Sequence, residues 1–210
     1  MKGWKLVAWA ALIETLLVGP ALFWVGFQED GWRLAIRWTA RFSAALFLSA
    51  FLASSLRYVW KNRFTAWLLG NRRYIGVSFA ASQGLHLIAI VGTAVVAPNF
   101  IKSLEPLALV GGSLGYLFVI ALTLTSFDRS TRALGPKWWH RLHSTGMYYL
   151  WLVFAFTYVG SASHSRLHFG LAIFFLAALL FKLGVKWKKR SAYVGYSSGS
   201  ASVLSDAEKP

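Results

Sequence analysis

The chain has 210 residues, of which 57% are hydrophobic and only 14% are charged. A soluble domain is usually about half apolar and about a quarter charged, so this composition predicts a polytopic membrane protein. The formal net charge is +15, but the basic residues cluster in short segments between apolar runs, which is the pattern of cytoplasmic membrane loops. We therefore expect the lipid bilayer, and no nucleic acid, as the partner of this surface, and little room for a separate soluble domain.

Cysteine is absent from the chain. This excludes disulfides, all-cysteine iron–sulfur clusters, thiolate-ligated haem and covalently attached c-type haem. Histidine is then the one strong nitrogen ligand left for a haem. The dinucleotide fingerprint G-x-G-x-x-G is also absent, so no flavin or nicotinamide domain is recognisable.

The first predicted helix spans about Trp4–Phe27 and is interrupted by Glu14 and Pro20. A signal peptide is the competing interpretation, but its apolar core would be only ~7–15 residues long, so we expect a retained helix. The second predicted helix spans about Leu34–Trp60. It carries Arg41 deep enough in the span for an ionic partner to be expected.

The third predicted helix, about Tyr74–Ala97, is the most informative stretch. His86 lies 14 residues after Arg72, which is ~21 Å along a helix axis. An imidazole at that depth is costly without a partner, so it is a functional-site hypothesis. Ser82 and Gln83 lie about one turn before His86 and are expected to bond its ring or to face a polar cavity.

Three further helices complete the predicted bundle. The fourth spans about Leu107–Phe127, where Gly111 and Gly115 form a small-xxx-small pair that favours close helix packing. The fifth spans about Trp138–Gly160, and the sixth spans about His168–Val185.

The basic segments all fall on one side of this arrangement. They are Arg57–Arg73, Asp128–Arg141 and the KWKKR run at 186–190. The predicted fold is therefore an all-α membrane bundle of six transmembrane helices over residues 1–190, with both termini cytoplasmic. Residues 191–210 are rich in serine and glycine and are predicted to form a disordered cytoplasmic tail.

His86 and His143 stand on the third and fifth predicted helices, which run in the same direction. Cofactor sites in bundle cores are built from side chains on facing helices, so a b-type haem held by two imidazoles fits the pattern. Two satisfied polar residues that only pack helices are the alternative.

Four more residues are expected at such a site. The haem propionates would favour arginines such as Arg41, Arg72 or Arg73, and Gly146 would let a porphyrin approach the backbone.

His140 is expected at the membrane interface, while His164 and His168 are expected at the outer surface.

Two groups of motifs resemble the ferric-reductase-like transmembrane domain family. The first is Arg72-Arg73-x-x-Gly76 followed by Leu85-His86. The second is the run LTLTS at 122–126, leading through Arg132-x-Leu134-Gly135-x-x-Trp138 to Leu142-His143. The family includes the membrane haem subunit of the bacterial methionine sulfoxide reductase system, ferric reductases and NADPH oxidases.

The resemblance implies a six-helix core that passes electrons across the bilayer through b-type haem. It implies that His86 and His143 ligate the haem iron and that the chain is a multi-pass inner-membrane component of an oxidoreductase. Because the chain shows no dinucleotide domain, a separate flavoprotein or a quinol would be the electron donor, and a further protein partner is expected.

The chain departs from the family pattern at two positions. Phe156 stands where the family often has a second histidine on the fifth helix, and Arg72 stands where two-haem members have one on the third. Measured from Arg72 and Trp138, His86 lies ~21 Å and His143 ~8 Å into the membrane. Ligands of one haem must lie at nearly the same depth.

Four alternatives remain open at this point. The two helices are tilted, kinked or offset so that both histidines reach one haem, or each histidine serves separately. Alternatively His164 or His168 folds back towards His86, or haem binding is lost. In the last case the chain is a haem-free membrane partner or scaffold subunit, and a transporter or channel subunit is a more distant alternative.

Overall fold

The computed structural model describes residues 3–207, with the side chains of Ala21, His164 and residues 192–207 left out. Within that part every regular element is helical, which confirms the all-α fold class. The α-helices are α1 (Trp4–Val25), α2 (Glu29–Val59), α3 (Arg63–Gly70), α4 (Arg72–Val96), α5 (Pro106–Leu124), α6 (Asp128–Gly160) and α7 (Arg166–Ala207).

Five of these helices are long and apolar enough to cross a membrane. They are α1, α2, α4, α5 and the part of α7 from Arg166 to Ser191. The remaining predicted span, the fifth at about Trp138–Gly160, corresponds to α6, whose sequence mixes apolar residues with many tyrosine, threonine and basic residues. The structure thus supports five candidate spans, and the span at α6 stays a prediction.

The segment Arg57–Arg73, predicted to be a loop, contains the short helix α3. Asn62 caps it, since its Oδ1 accepts a hydrogen bond from the Thr65 backbone N–H at 2.9 Å and Thr65 Oγ1 accepts one from the Asn62 backbone N–H at 3.3 Å. This reciprocal pair is a capping box, which stabilises the first turn of a helix. The pattern of basic residues gave no sign of it.

The helix α6 starts at Asp128, ten residues before the predicted start at Trp138. It is broken at Gly135, whose φ of 73° and ψ of 159° are not helical, and Pro136 follows. Because proline cannot donate a backbone hydrogen bond, it is suited to the first turn of a new helical segment. The two segments of α6 therefore have separate axes.

Aromatic ring contacts join the start of α1 to the start of α4, and the end of α2 to α7. Trp4 of α1 contacts Tyr74 of α4 with ring centroids 5.8 Å apart, and Trp60 at the end of α2 stacks on Phe181 of α7 at 5.9 Å. Arg73 pairs with Asp128 at 2.7 Å. We call this end of the bundle, where residues 57–73, 128–141 and 182–190 lie, the basic end.

The centre of the bundle is a cluster of phenylalanines around α2. The Phe47 ring lies 5.2 Å from that of Phe154, 5.5 Å from that of Phe79 and 6.3 Å from that of Phe175. Phe47, Phe51 and Phe175 are at most 1% exposed. Aromatic side chains bury large areas, so this cluster joins α2, α4, α6 and α7 into one core.

The backbone of α7 continues as a helix to Ala207, whereas a disordered tail was expected from residue 191 onwards. The side chains from residue 192 and the last three residues lie outside the described part. The division into residues 1–190 and 191–210 stays a prediction.

Candidate functional site

A cavity of about 580 Å³ opens at the basic end between α2, α4, α5, α6 and α7. Three of the residues predicted for a haem site, His143, Arg72 and Arg73, line this one cavity. Gly76 of the first motif group and Leu122, Thr123 and Ser126 of the second line it as well. The structure therefore gathers residues from both motif groups around a single space.

The His143 imidazole is held in place from two sides. Its Nε2 lies 3.0 Å from Thr125 Oγ1 at the end of α5, and its ring stacks on Trp139 with centroids 4.1 Å apart. Trp139 is fixed in turn, since its indole N–H donates to the Thr125 carbonyl at 2.9 Å. Within the described residues His143 Nδ1 makes no hydrogen bond, so one ring nitrogen is left for another partner.

The lining of the cavity is strongly cationic. Arg72 Nε donates to the Ala50 carbonyl at 3.0 Å, which holds the guanidinium against α2. Lys182 donates to the Phe51 carbonyl and lies 4.1 Å from the centroid of the Phe51 ring. The charged residues of the lining are one acid, Asp128, and five bases, Arg72, Arg73, Lys182, Lys186 and Lys189.

His86 lies in a different environment, on the core side of α4. Its Nδ1 is 2.8 Å from Thr39 Oγ1 on α2, and Thr39 is fully buried. The partner of the ring is thus Thr39 and neither Ser82 nor Gln83, because those two side chains bond to Glu14 and Ser43. His86 does not line the cavity that contains His143.

Two further predicted residues also lie away from the cavity lining. The Arg41 guanidinium lies 5.4 Å from the centroid of the Trp38 ring, and it takes part in no ion pair within the described residues. A Cβ on Gly146 would lie 3.0 Å from Leu122 Cδ1 and 3.1 Å from Phe118 Cδ1. The helix that packs closely against Gly146 of α6 is therefore α5. Gly115, on the α5 side of the same contact, also permits close packing of the two helices.

Phe156, which stands where the family often has a second histidine, faces outward. Phe156 is 50% exposed, whereas its neighbours Phe154 and Ala155 are buried. His168 packs against Tyr158 of α6, with ring centroids 6.1 Å apart, and its Nδ1 is buried without a hydrogen-bond partner. His164 lies outside the described side chains.

Several residues that line the cavity were not predicted from the sequence. Lys182, Lys186 and Lys189 were interpreted only as part of a membrane anchor or were not singled out. Their spacing of four and three residues places them on one helical face, and this was the available signal. His140, expected at the membrane interface, is exposed and lines the same cavity.

No protein-family model, curated protein or solved structure matches the chain. Within the described residues there is no cluster of three or more histidine, aspartate or glutamate side chains that could hold a metal ion. A haem iron needs only one or two protein ligands, so this finding bears on bare metal ions.

Proposed function

We propose that the chain is an integral membrane b-type haem protein that transfers electrons across the bilayer from a separate donor. The observation that supports it best is the shared cavity of His143, Arg72 and Arg73 at the basic end. An imidazole and several cations around one space suit a group with a central metal and anionic carboxylates. The motif resemblance points to the same class of protein.

The residues of the cavity fit one haem only in part. The volume of about 580 Å³ is within the range of small-molecule and cofactor sites, and Phe79 and Met147 supply apolar lining. Because His86 faces Thr39 outside this cavity, the arrangement does not support joint ligation of one haem by His86 and His143. The proposal therefore assigns the haem at the basic end to His143, and a separate role for His86 as a ligand stays a prediction.

The protein would contribute position and charge, and the haem would contribute the one-electron chemistry. Thr125 and Trp139 orient the imidazole of His143. Arg72 and Lys182 would compensate the propionate charges, and Phe79 of the phenylalanine cluster would supply apolar contact.

The proposed topology has six spans, with α6 from Pro136 onward as the fifth in chain order. The basic end then lies on the cytoplasmic side of the inner membrane, because lysine and arginine accumulate on that side of short loops. Both termini are cytoplasmic in this arrangement. A soluble flavoprotein or a quinol would deliver electrons, and a further protein would accept them.

The absorption spectrum of the purified protein, expressed with added haem precursor, tests this function. We expect a Soret band that His143→Ala abolishes or shifts, while His86→Ala, the matched control outside the cavity, leaves the signal of the basic-end haem in place. A protein that folds without any Soret band would overturn the haem proposal. A spectrum that His143→Ala leaves unchanged would overturn the assignment of the ligand.

A haem-free membrane partner or scaffold subunit is the second candidate. It is favoured by Phe156, which faces outward where the family has a histidine, and by Gly146, which α5 covers. Such a protein would fold fully without haem and would co-purify with its partner. Loss of that co-purification on haem depletion would count against this candidate.

A further inference from the structure

Glu14 is a carboxyl in the middle of α1 and is only 1% exposed. It lies ten residues after Trp4, so ~15 Å along the helix axis. Ala10 and Leu6, one and two turns earlier on the same face, are also buried. This stripe faces α2 and α4, while most other side chains of α1 are exposed.

The carboxyl has a hydroxyl partner and no cation. Ser82 Oγ donates to Glu14 Oε1 at 2.6 Å, and Ser82 is fully buried. The ion pairs among the described residues are Arg33–Glu29 and Arg73–Asp128, so Glu14 belongs to neither.

The charged and titratable groups on α2 and α4, the two helices that pack against α1, do not compensate Glu14. His86 stands one turn after Ser82 but bonds to Thr39. The others form no ion pair or hydrogen bond with Glu14 within the described residues, and they are Glu29, Asp30, Arg33, Arg37, Arg41, Arg57 and Tyr58 on α2, and Arg72, Arg73 and Tyr74 on α4.

An ionised carboxylate at this place would be expensive. Transfer of a charge out of water is costly even after relaxation, unless an opposite charge or several donors compensate it. The single hydroxyl of Ser82 does not supply that compensation. A neutral carboxyl, which carries its own proton, avoids the cost.

Two further polar pairs join α4 to α2 near Ser82. Gln83, next to Ser82 in the chain, donates to Ser43 Oγ at 3.2 Å, and Ser43 is fully buried. Thr39, one turn from Ser43 on α2, contacts His86. We call the three hydrogen-bonded pairs Glu14–Ser82, Gln83–Ser43 and Thr39–His86 the polar band.

We propose that Glu14 is a proton-binding site in the interior of the bundle, occupied at neutral pH, from which the proton exchanges with water through the polar band. The chemical class of its ligand is the proton itself. A hydrogen bond that only fastened α1 would need no ionisable group, since an amide or hydroxyl would serve. The proposal is independent of the haem proposed at the basic end, because it uses no residue of that cavity.

Infrared and solid-state NMR spectra of the full-length protein, with ¹³C-labelled glutamate carboxyls, test this site in liposomes. The chain has four glutamates, and of the three within the described residues Glu14 is the one in the middle of a helix. At neutral pH we expect one protonated carboxylic-acid signal beside the carboxylate signals. The infrared band should shift when the liposomes are transferred to heavy water, because the proton exchanges.

Substitutions assign that signal. Glu14→Gln keeps an acceptor for Ser82 and should remove the protonated signal, whereas Glu29→Gln, the control on the exposed ion pair, should leave it. Ser82→Ala should keep the signal but move the carbonyl stretch to higher frequency, since its hydrogen bond is lost. The proposal is overturned if unmodified protein shows only carboxylate signals at neutral pH, if the acid signal survives Glu14→Gln, or if the signal does not exchange in heavy water.

Discussion

The two histidines predicted as haem ligands, His86 on α4 and His143 on α6, stand in contrasting surroundings. His143, at the basic end, lines a cavity of about 580 Å³ with cations around it. His86, on the core side of α4, is bonded to the buried Thr39 of α2. One imidazole therefore faces space that a ligand could fill, whereas the other is already part of the protein interior.

This contrast shows what a histidine at membrane depth does and does not indicate. Depth alone makes the group costly and demands a partner, but the partner can be a side chain of the same protein. For His86 that partner is Thr39, and for His143 the hydrogen bond to Thr125 leaves room beside the ring. The substitutions below compare the stability of the packed interior with that of the open basic end.

Phe47→Ala should have the largest effect, because it removes a ring at the centre of the packed region. Deletion of a fully buried phenylalanine side chain lowers the free energy of unfolding by about 3–5 kcal/mol. Thermal unfolding of the purified protein in detergent measures this. Phe156→Ala is the control, and its half-exposed ring should matter far less. Equal losses for the two variants would contradict the described core.

Gly146→Val should have the next largest effect, since the new side chain meets Leu122 and Phe118 of α5. Overpacking of this kind typically costs about 1–3 kcal/mol. Gly84→Val has the same helix-propensity cost but has no atom within 4 Å of its Cβ position. The difference between the two unfolding temperatures isolates the α5–α6 contact. If the two variants were equally stable, α5 would not cover Gly146.

Thr39→Val removes the hydroxyl that contacts His86 while it keeps the shape of the side chain. We expect a loss of about 1 kcal/mol, the usual net value of one hydrogen bond. Thr15→Val, at an exposed position whose hydroxyl bonds only to the Ala11 carbonyl, provides the control. The Soret band assigned to His143 should not respond to Thr39→Val. A change in that band would show that the Thr39–His86 contact affects the cavity of His143, which contradicts their separation in the structure.

Asp128→Asn should have the smallest effect, because the ion pair with Arg73 is exposed at the mouth of the cavity. Exposed ion pairs contribute about 0–1 kcal/mol, and salt screens them. The unfolding temperature should thus change by a degree or two at low salt and hardly at all at high salt. A large loss that persists in high salt would mean that Asp128 is buried in the membrane-embedded protein.

Much of the architecture could be predicted from apolar runs, since a stretch such as Tyr74–Ala97 fixes both the helix and its approximate ends. The structure gives α4 as Arg72–Val96. The helix α3 could not be predicted this way, because its capping box depends on Asn62 and Thr65 in an otherwise basic segment. Local hydrogen bonds at helix ends do not change the hydrophobic pattern.

The candidate site could be predicted only in its parts. Arg72, Arg73 and His143 were identified from spacing and motifs, and the cavity brings them together. The separation of His86 from them depends on which face of α4 meets α2, and neither the depth nor the composition of the helix specifies that face. Lys182 was missed because a lysine one turn inside a basic helix end looks like an ordinary membrane anchor.

The break at Gly135 has a mechanical consequence for α6. Its short first arm carries Arg129 and Arg132, and its long arm carries His143. With a joint between them, the two arms can tilt separately, so in the proposed six-span topology we expect the short arm to follow the headgroup layer and the neighbours in the bundle to set the tilt of the long arm. We therefore expect thinner or thicker bilayers to bend the chain at one residue and to leave the imidazole at the same height beside Thr125.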